Sequence, residues 1–334
     1  MLDTQSIRSF LDGLIKPSGS LGVWEELAER FCLIQQTIRP IATPAELIVF
    51  AADHGVVQSG VSIWPSSVTT LMIEQIATGK AASAVLAAEF GIEYHVVDVG
   101  SATPPSIIHP KLSSRRIAAG TRNLQEEPAM TLHEFREAMS IGADEARMSF
   151  LRGAKVVLVG EMGIGNTTSA SCLARLLADV PVEQAVGVGA GSTDDSRHAK
   201  LNAVQVATDH VLERCGRSID ESALAAVSGF EIAAMAGFYI QAAKQHQVIL
   251  LDGMIATAGA LIAQQYYPEV IHNMIAAHES QEPAHAAMLE RLTLEPMLRW
   301  GMRLGEGTGA LALYPLLKGA AAWVSKMGKI TEVM

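Results

Sequence analysis

The chain has 334 residues, 49 % hydrophobic and only 18 % charged, a balance that builds a sizeable core and excludes a disordered chain or a coiled coil. Its 25 Lys and Arg against 35 Asp and Glu give a net charge of −10 with no basic stripe, which excludes a broad nucleic-acid face because phosphate neutralisation needs clustered cations. The longest weakly polar stretches, 227–243 and 309–324, are broken by Glu231 and Lys318 and fall short of the roughly 20 apolar residues of a membrane span.

The first residues carry no basic segment followed by an apolar one, so no secretory signal is read there. Cys32, Cys172 and Cys215 are odd in number and far apart, which suits neither a disulfide framework nor a zinc set. A soluble, cytoplasmic protein is expected.

In chain order, residues 1–38 are helical by pattern. Six short apolar runs follow, each ending in glycine or a polar cluster: 47–52, 94–97, 155–159, 185–188, 248–251 and 270–276. Runs of this length without alternation predict strands buried on both faces. Between them lie helical patterns at 68–90, 131–152, 167–178, 197–214, 222–245 and 255–266. Strand–helix alternation predicts an α/β fold, a mainly parallel Rossmann-like sheet with helices on both faces. Residues 282–334 are again helical. We expect a large α/β domain at 39–281 and a small helical domain built from both chain ends, 1–38 and 282–334.

Ligands of open parallel sheets bind at the carboxyl ends of the strands. Those ends here carry Asp53, His54, Asp98, Glu161, Asn166, Asp252, His278, Glu279 and Ser280. Two are glycine-rich. Gly160-Glu161-Met162-Gly163-Ile164-Gly165-Asn166 leaves a strand and opens a helix, and Gly187-Val188-Gly189-Ala190-Gly191-Ser192 repeats the arrangement with Lys200 shortly after. Glycines let backbone N–H groups approach an anion, and a helix N-terminus favours negative charge, so two such turns suggest a phosphorylated small molecule. Taken singly, each glycine pair could mark a tight turn and each Asp or His a hydrogen-bonded scaffold residue. The convergence of six strand ends favours function. The dinucleotide fingerprint, the P-loop and the nucleophile elbow are all missing from the sequence, which disfavours an oxidoreductase, an NTPase and a serine hydrolase.

Several motifs, in order and nearly end to end, then resemble one family. They are Lys16-Pro17-Ser18-Gly19-Ser20-Leu21-Gly22, Asp53-His54-Gly55, Gly60-Val61-Ser62, Asp98-Val99-Gly100, Gly120-Thr121-Arg122-Asn123 and 160–168. Gly189-Ala190-Gly191-Ser192, Leu251-Asp252-Gly253, His278-Glu279-Ser280 and Gly301-Met302-Arg303-Leu304-Gly305-Glu306-Gly307-Thr308-Gly309-Ala310 complete the set. The chain resembles the nicotinate-nucleotide–dimethylbenzimidazole phosphoribosyltransferase family.

The resemblance implies transfer of phosphoribose from nicotinate mononucleotide to a benzimidazole-type base for cobalamin nucleotide-loop assembly, with neither metal nor organic cofactor. It implies Glu306 as base and Glu161 as a second catalytic acid. Gly163, Gly165, Asn166, Gly189, Gly191, Lys200 and Ser280 fall where the family holds the nucleotide, and Ser62, Trp64, Thr70 and Leu304 where it holds the accepting base. A homodimer is implied, with a hetero-oligomer or a non-catalytic subunit as the alternative. The chain departs from the family where Thr70-Leu71 stand in place of a usual glutamine, and where Gly79-Lys80-Ala81-Ala82-Ser83-Ala84 replaces a run like G-G-A-A-I-N. Trp64 and Arg299-Trp300 are further departures. These lie mostly near the acceptor segment, so an altered acceptor, phenolic bases included, is a second expectation.

Overall fold

The computed structural model describes residues 2–187, 189, 191 and 193–332. Strand β1 (Ala45–Ala52) is buried along its whole length, as a central strand covered on both faces must be. Its neighbours are β2 (Glu93–Gly100) and β4 (Val156–Met162), and the sheet extends through β3 (Leu112–Ser114) on one side and β5 (Val248–Leu251) and β6 (Met274–Ala276) on the other. The order is β3-β2-β1-β4-β5-β6 and every pairing is parallel.

Helices α1 (Thr4–Asp12) and α2 (Val23–Gln35) precede the sheet. Between β1 and β2 come α3 (Ser67–Ala77) and α4 (Ala82–Glu89), and before β4 comes α5 (Leu132–Leu151). The long connection to β5 holds α6 (Asn166–Leu177), α7 (Val182–Ala185), α8 (Asp194–Cys215), α9 (Glu221–Val227) and α10 (Phe230–Lys244). Then follow α11 (Met254–Tyr266), α12 (His285–Arg291) and α13 (Thr308–Lys326).

Alternate residues of each strand feed two cores. Ile48 and Phe50 pack with α5, α6, α10 and α11, while Leu47 and Val49 pack with α2, α3, α4 and α13. The expected α/β class with helices on both faces is thus what the chain forms. A third, smaller cluster joins both chain ends through Ile7 and Leu11 of α1, Ala28 and Cys32 of α2 and Ala320 and Val324 of α13.

Five of the six expected strands are present, the one expected at 270–276 only over Met274–Ala276, because Pro268–Asn273 form a 3-10 turn. The expected strand 185–188 is not one: Ala185 ends α7, Val186 and Gly187 are irregular, and Val188 lies outside the described residues. Four apolar residues are too few to distinguish a strand from a buried turn, and here Pro181 starts a helical turn whose Ala185 carbonyl accepts the Ser171 hydroxyl at 2.6 Å. Strand β3 was invisible to periodicity because it is three residues long, two of them serine, and pairs only with β2. Two expected helices are each broken in two. Gly79, at φ +80°, separates α3 from α4, and Ser228-Gly229 separates α9 from α10.

Candidate active site

The strand order reverses direction between β1 and β4, and such a switch point opens a crevice at the carboxyl ends of the two strands. Register puts Phe50 beside Glu161, Ala51 beside both Met162 and Asp98, and Ala52 beside Gly100. The cleft at this edge is lined by the 161–167 turn, Gly189, the 252–256 segment, His278, Ser280, Glu282 and 303–305.

Several strand-end groups turn out to build the walls. Asp98 accepts the Gly100 and Ser101 N–H groups and the Ser101 hydroxyl, and Asp53 accepts the Ala102 N–H at 2.7 Å. Asp252 accepts the N–H groups of Gly307, Gly309 and Ala310, so it caps α13 and fixes the turn before it. His54 is buried between Ser169 at 3.1 Å and Glu231 at 2.7 Å, where Gly229 leaves room for its ring.

Glu161 and Glu306 are brought together by glycines. A Cβ at Gly160 would collide with the Glu306 carbonyl and the Gly307 nitrogen, and one at Gly305 would collide with the Glu161 carboxylate. The Glu306 N–H donates to the Glu161 carbonyl at 3.2 Å, with Glu306 itself left-handed at φ 59°. Both side chains are buried. Burial, with the charges of Glu231 and Asp252 adding to it, pushes the Glu161 carboxyl up to about 8, against an opposing hydrogen bond from the Asn166 amide. Glu306 receives the Ser83 hydroxyl on Oε2 at 2.7 Å.

The turn that follows Glu161 and the neighbouring Gly189 bring the groups suited to an anion together. Gly165, left-handed at φ +96°, starts α6 without a side-chain cap, the Asn166 N–H donating to the Gly163 carbonyl and the Thr168 N–H to the Gly165 carbonyl, and the helix turns its positive end to the cleft. The turn is anchored by the Ile164 N–H donating to Thr69 Oγ1 and by Gly163 lying against the Ala52 carbonyl. Lys200, on α8, is 4 % exposed and donates to Thr167 Oγ1 at 2.9 Å; burial lowers its pKa. A Cβ at Gly189 would lie 3.3 Å from the Lys200 ammonium, and the Gly189 N–H donates to Glu282 Oε1 at 2.8 Å. Gly191 lies against Ile63, while Val188, Ala190 and Ser192 of the same motif lie outside the described residues. The Ser280 N–H donates to His285 Nδ1 at 2.8 Å, which leaves the proton on Nε2 to be given to Thr257 Oγ1, whose own hydroxyl donates to the Gly253 carbonyl.

The four expected acceptor residues are less gathered. Leu304 lines the cleft although 60 % exposed, and Trp64 is 46 % exposed on the loop beside Ile63. Ser62 Oγ accepts the Trp64 N–H at 3.0 Å, and Thr70 spends its hydroxyl on the Thr103 carbonyl at 2.7 Å. Sequence reasoning missed Ser83, Glu282, His285 and Arg303, which donates to the Gly189 carbonyl at 2.8 Å. None sits at the end of a predicted strand. Only Arg303, inside the glycine-rich motif at 301–310, carried a signal that could have been used. Among the described residues no group of three His, Cys, Asp or Glu is arranged to hold a metal ion, and no helix is long and apolar enough to cross a membrane.

Comparison with known proteins matches this geometry to a family. A family model described as phosphoribosyltransferase fits residues 3–333. A protein of Ralstonia nicotianae named nicotinate-nucleotide–dimethylbenzimidazole phosphoribosyltransferase is 44 % identical over 322 residues, 96 % of this chain and 90 % of that one. One of the same name from Cupriavidus taiwanensis is 40 % identical over 321 residues, covering 96 % and 92 %. The crystal structure of CobT from Thermus thermophilus superimposes with a TM-score of 0.93 at 36 % identity, covering 99 % of this chain and 98 % of that one. With sequence and fold both matched over nearly the whole length, the chain belongs to the nicotinate-nucleotide–dimethylbenzimidazole phosphoribosyltransferase family.

Proposed function

We propose that this protein moves phosphoribose from nicotinate mononucleotide to a benzimidazole-type base, giving an α-riboside 5′-phosphate and nicotinate, a step of cobalamin nucleotide-loop assembly. The observation that carries this reading is a cleft lined by Gly163, Gly189 and Glu161, with the buried Lys200 against Gly189 and the buried Glu306 next to the lining Gly305. Lys200, Gly163, Gly165, Gly189, Gly191, Asn166 and Ser280 hold the phosphate and ribose. Arg303, through the Gly189 carbonyl, fixes the second turn.

The ring nitrogen of the leaving nicotinate is cationic in the N-glycosidic bond and becomes neutral as that bond breaks, so departure needs no general acid. The benzimidazole needs a base: one ring nitrogen attacks C1′ while the other loses its proton to Glu306. Attack opposite the leaving group inverts the anomeric centre. Glu161 sits where positive charge develops on the ribose. In the free site it is held neutral near pH 7, and a bound pyridinium cation favours its ionised form, so the charge arrives with the substrate that needs it. Nicotinate release from nicotinate mononucleotide that depends on added 5,6-dimethylbenzimidazole tests the reading; release that ignores the base would oppose it.

A second acceptor class is favoured by Thr70, whose hydroxyl is already used, and by Leu71, which cannot hydrogen-bond. A pocket held by apolar contact discriminates weakly between similar rings. The expected result of competition between equimolar dimethylbenzimidazole, benzimidazole and p-cresol is a mixture of products. Exclusive use of dimethylbenzimidazole, lost in Gln75→Ala, would assign an ordinary amide-read specificity instead. The active species is read as a homodimer, which light scattering of the purified chain checks.

A further inference from the structure

Glu306 needs a neighbour that fixes its carboxylate, because its own backbone supplies none on the side-chain oxygens. The residue lies in a left-handed turn between two glycines, and its main chain is held by the Glu161 carbonyl and by Asp252 at the following residue. Those contacts place the Cα. They leave the orientation of the carboxylate to its side-chain partners.

Among the described residues, the Ser83 hydroxyl is the group that donates to it. The serine is completely buried in the first turn of α4, a helix whose other inward residues are Ala84 and Ala87 and which packs against Leu311, Tyr314 and Leu317 of α13. A buried hydroxyl without a partner costs stability, and the partner found here is Glu306 Oε2 at 2.7 Å, a length typical of a hydroxyl bound to a carboxylate.

We propose that Ser83 is a positioning residue for the base, its hydroxyl holding Oε2 so that the acceptor's proton is delivered to Oε1. The inference rests on the reading of Glu306 as base. The step balances within the two substrates and the carboxylate. The acceptor N–H bond breaks as its proton joins Oε1, the other ring nitrogen's lone pair forms the new bond to C1′, and the electrons of the old C1′–N bond return to nicotinate. Ser83 exchanges no proton, because its hydrogen stays in the bond to Oε2 throughout.

The test is a double-mutant cycle of Ser83→Ala and Glu306→Gln in the full chain, with kcat and KM measured for nicotinate mononucleotide and 5,6-dimethylbenzimidazole. Ser83→Ala is expected to lower kcat about tenfold, the size of one hydrogen bond to a charged group, and to change the nucleotide KM less than about twofold. Glu306→Gln is expected to lower kcat by about 10²-fold or more, and Ser83→Ala added to it to change the remaining rate less than about twofold. Equal effects of Ser83→Ala in both backgrounds, or a Ser83→Ala enzyme with wild-type kcat, would overturn the positioning role. Wild-type turnover in Glu306→Gln would overturn the reading of the base, a result separate from either. Alanine suits a helix interior, and a melting temperature for each variant shows that the comparison is made between folded proteins.

Discussion

The Lys200 ammonium stands 2.9 Å from the Thr167 hydroxyl and forms no ion pair among the described residues, although it is only 4 % exposed. A buried cation whose partner is neutral is costly to fold, and its pKa is lowered by that burial, with Glu282 opposing the shift weakly. The arrangement becomes favourable once an anion arrives beside Gly189.

Lys200→Ala should therefore weaken nicotinate mononucleotide binding by about tenfold or more while leaving free dimethylbenzimidazole binding nearly unchanged. Because burial lowers the pKa of the lysine, wild-type nucleotide affinity should also decline as pH rises through the alkaline range, and the variant should lack that decline. Calorimetry across that range checks both. Equal affinities in the two proteins would make Lys200 a structural residue of α8.

Gly160→Ala isolates the contact that places Glu306. Gly160 lies in β4 and its backbone is ordinary, so the added methyl acts only by pushing on the Glu306 carbonyl and the Gly307 nitrogen. Turnover should drop about tenfold or more, since a small displacement of a reacting group is expensive in rate, with nucleotide affinity less affected. Steady-state kinetics give the split. Loss confined to KM would mean that the 305–307 turn serves binding and not the base.

Glu161 links the site to stability. The unfolded chain ionises this carboxyl near 4.5 and the folded chain at about 8, so between those values the folded state keeps a proton that the unfolded state has lost. Stability from this group therefore falls as pH rises through that window and is flat above it. Glu161→Gln removes the titration and keeps the shape. It should match the wild type near pH 4.5 and melt higher at pH 8, while turning over more slowly. Parallel melting curves for the two proteins across this range would contradict the raised pKa.

His285 holds Ser280 from behind. Burial keeps its pKa down at about 3, so the ring stays neutral across the physiological range and Nδ1 remains an acceptor for the Ser280 N–H. His285→Leu removes that acceptor and should raise the nucleotide KM by about tenfold. His285→Asn places a carbonyl near the Nδ1 position and should recover most of it, with no new titration between pH 5 and 8 in either. An asparagine variant as poor as leucine would assign the histidine to packing alone.

How far the sequence could be read depended on where each signal was local. Uninterrupted apolar runs such as 47–52 and 155–159 announced β1 and β4, and the glycine motifs at their ends placed the cleft, because both depend on residues adjacent in the chain. The break of α3 from α4 at Gly79 was missed since both halves share one helical pattern. Ser83 and Glu282 were missed because their partners lie 223 and 93 residues away, which only the fold brings within reach, and His285 because its ring bridges the nearby Ser280 to Thr257, 28 residues away. Asp53, Asp98 and His54 looked chemical and are walls, for they meet backbone N–H groups and buried partners that spacing does not reveal.

Transfer of phosphoribose from nicotinate mononucleotide to an aromatic base by inversion fixes the anomeric configuration of the product. The purified chain, incubated with nicotinate mononucleotide and 5,6-dimethylbenzimidazole, is expected to release one nicotinate for each riboside 5′-phosphate formed, and proton NMR of C1′ should show the α anomer. A β anomer, or nicotinate and free ribose 5-phosphate without riboside, would contradict it.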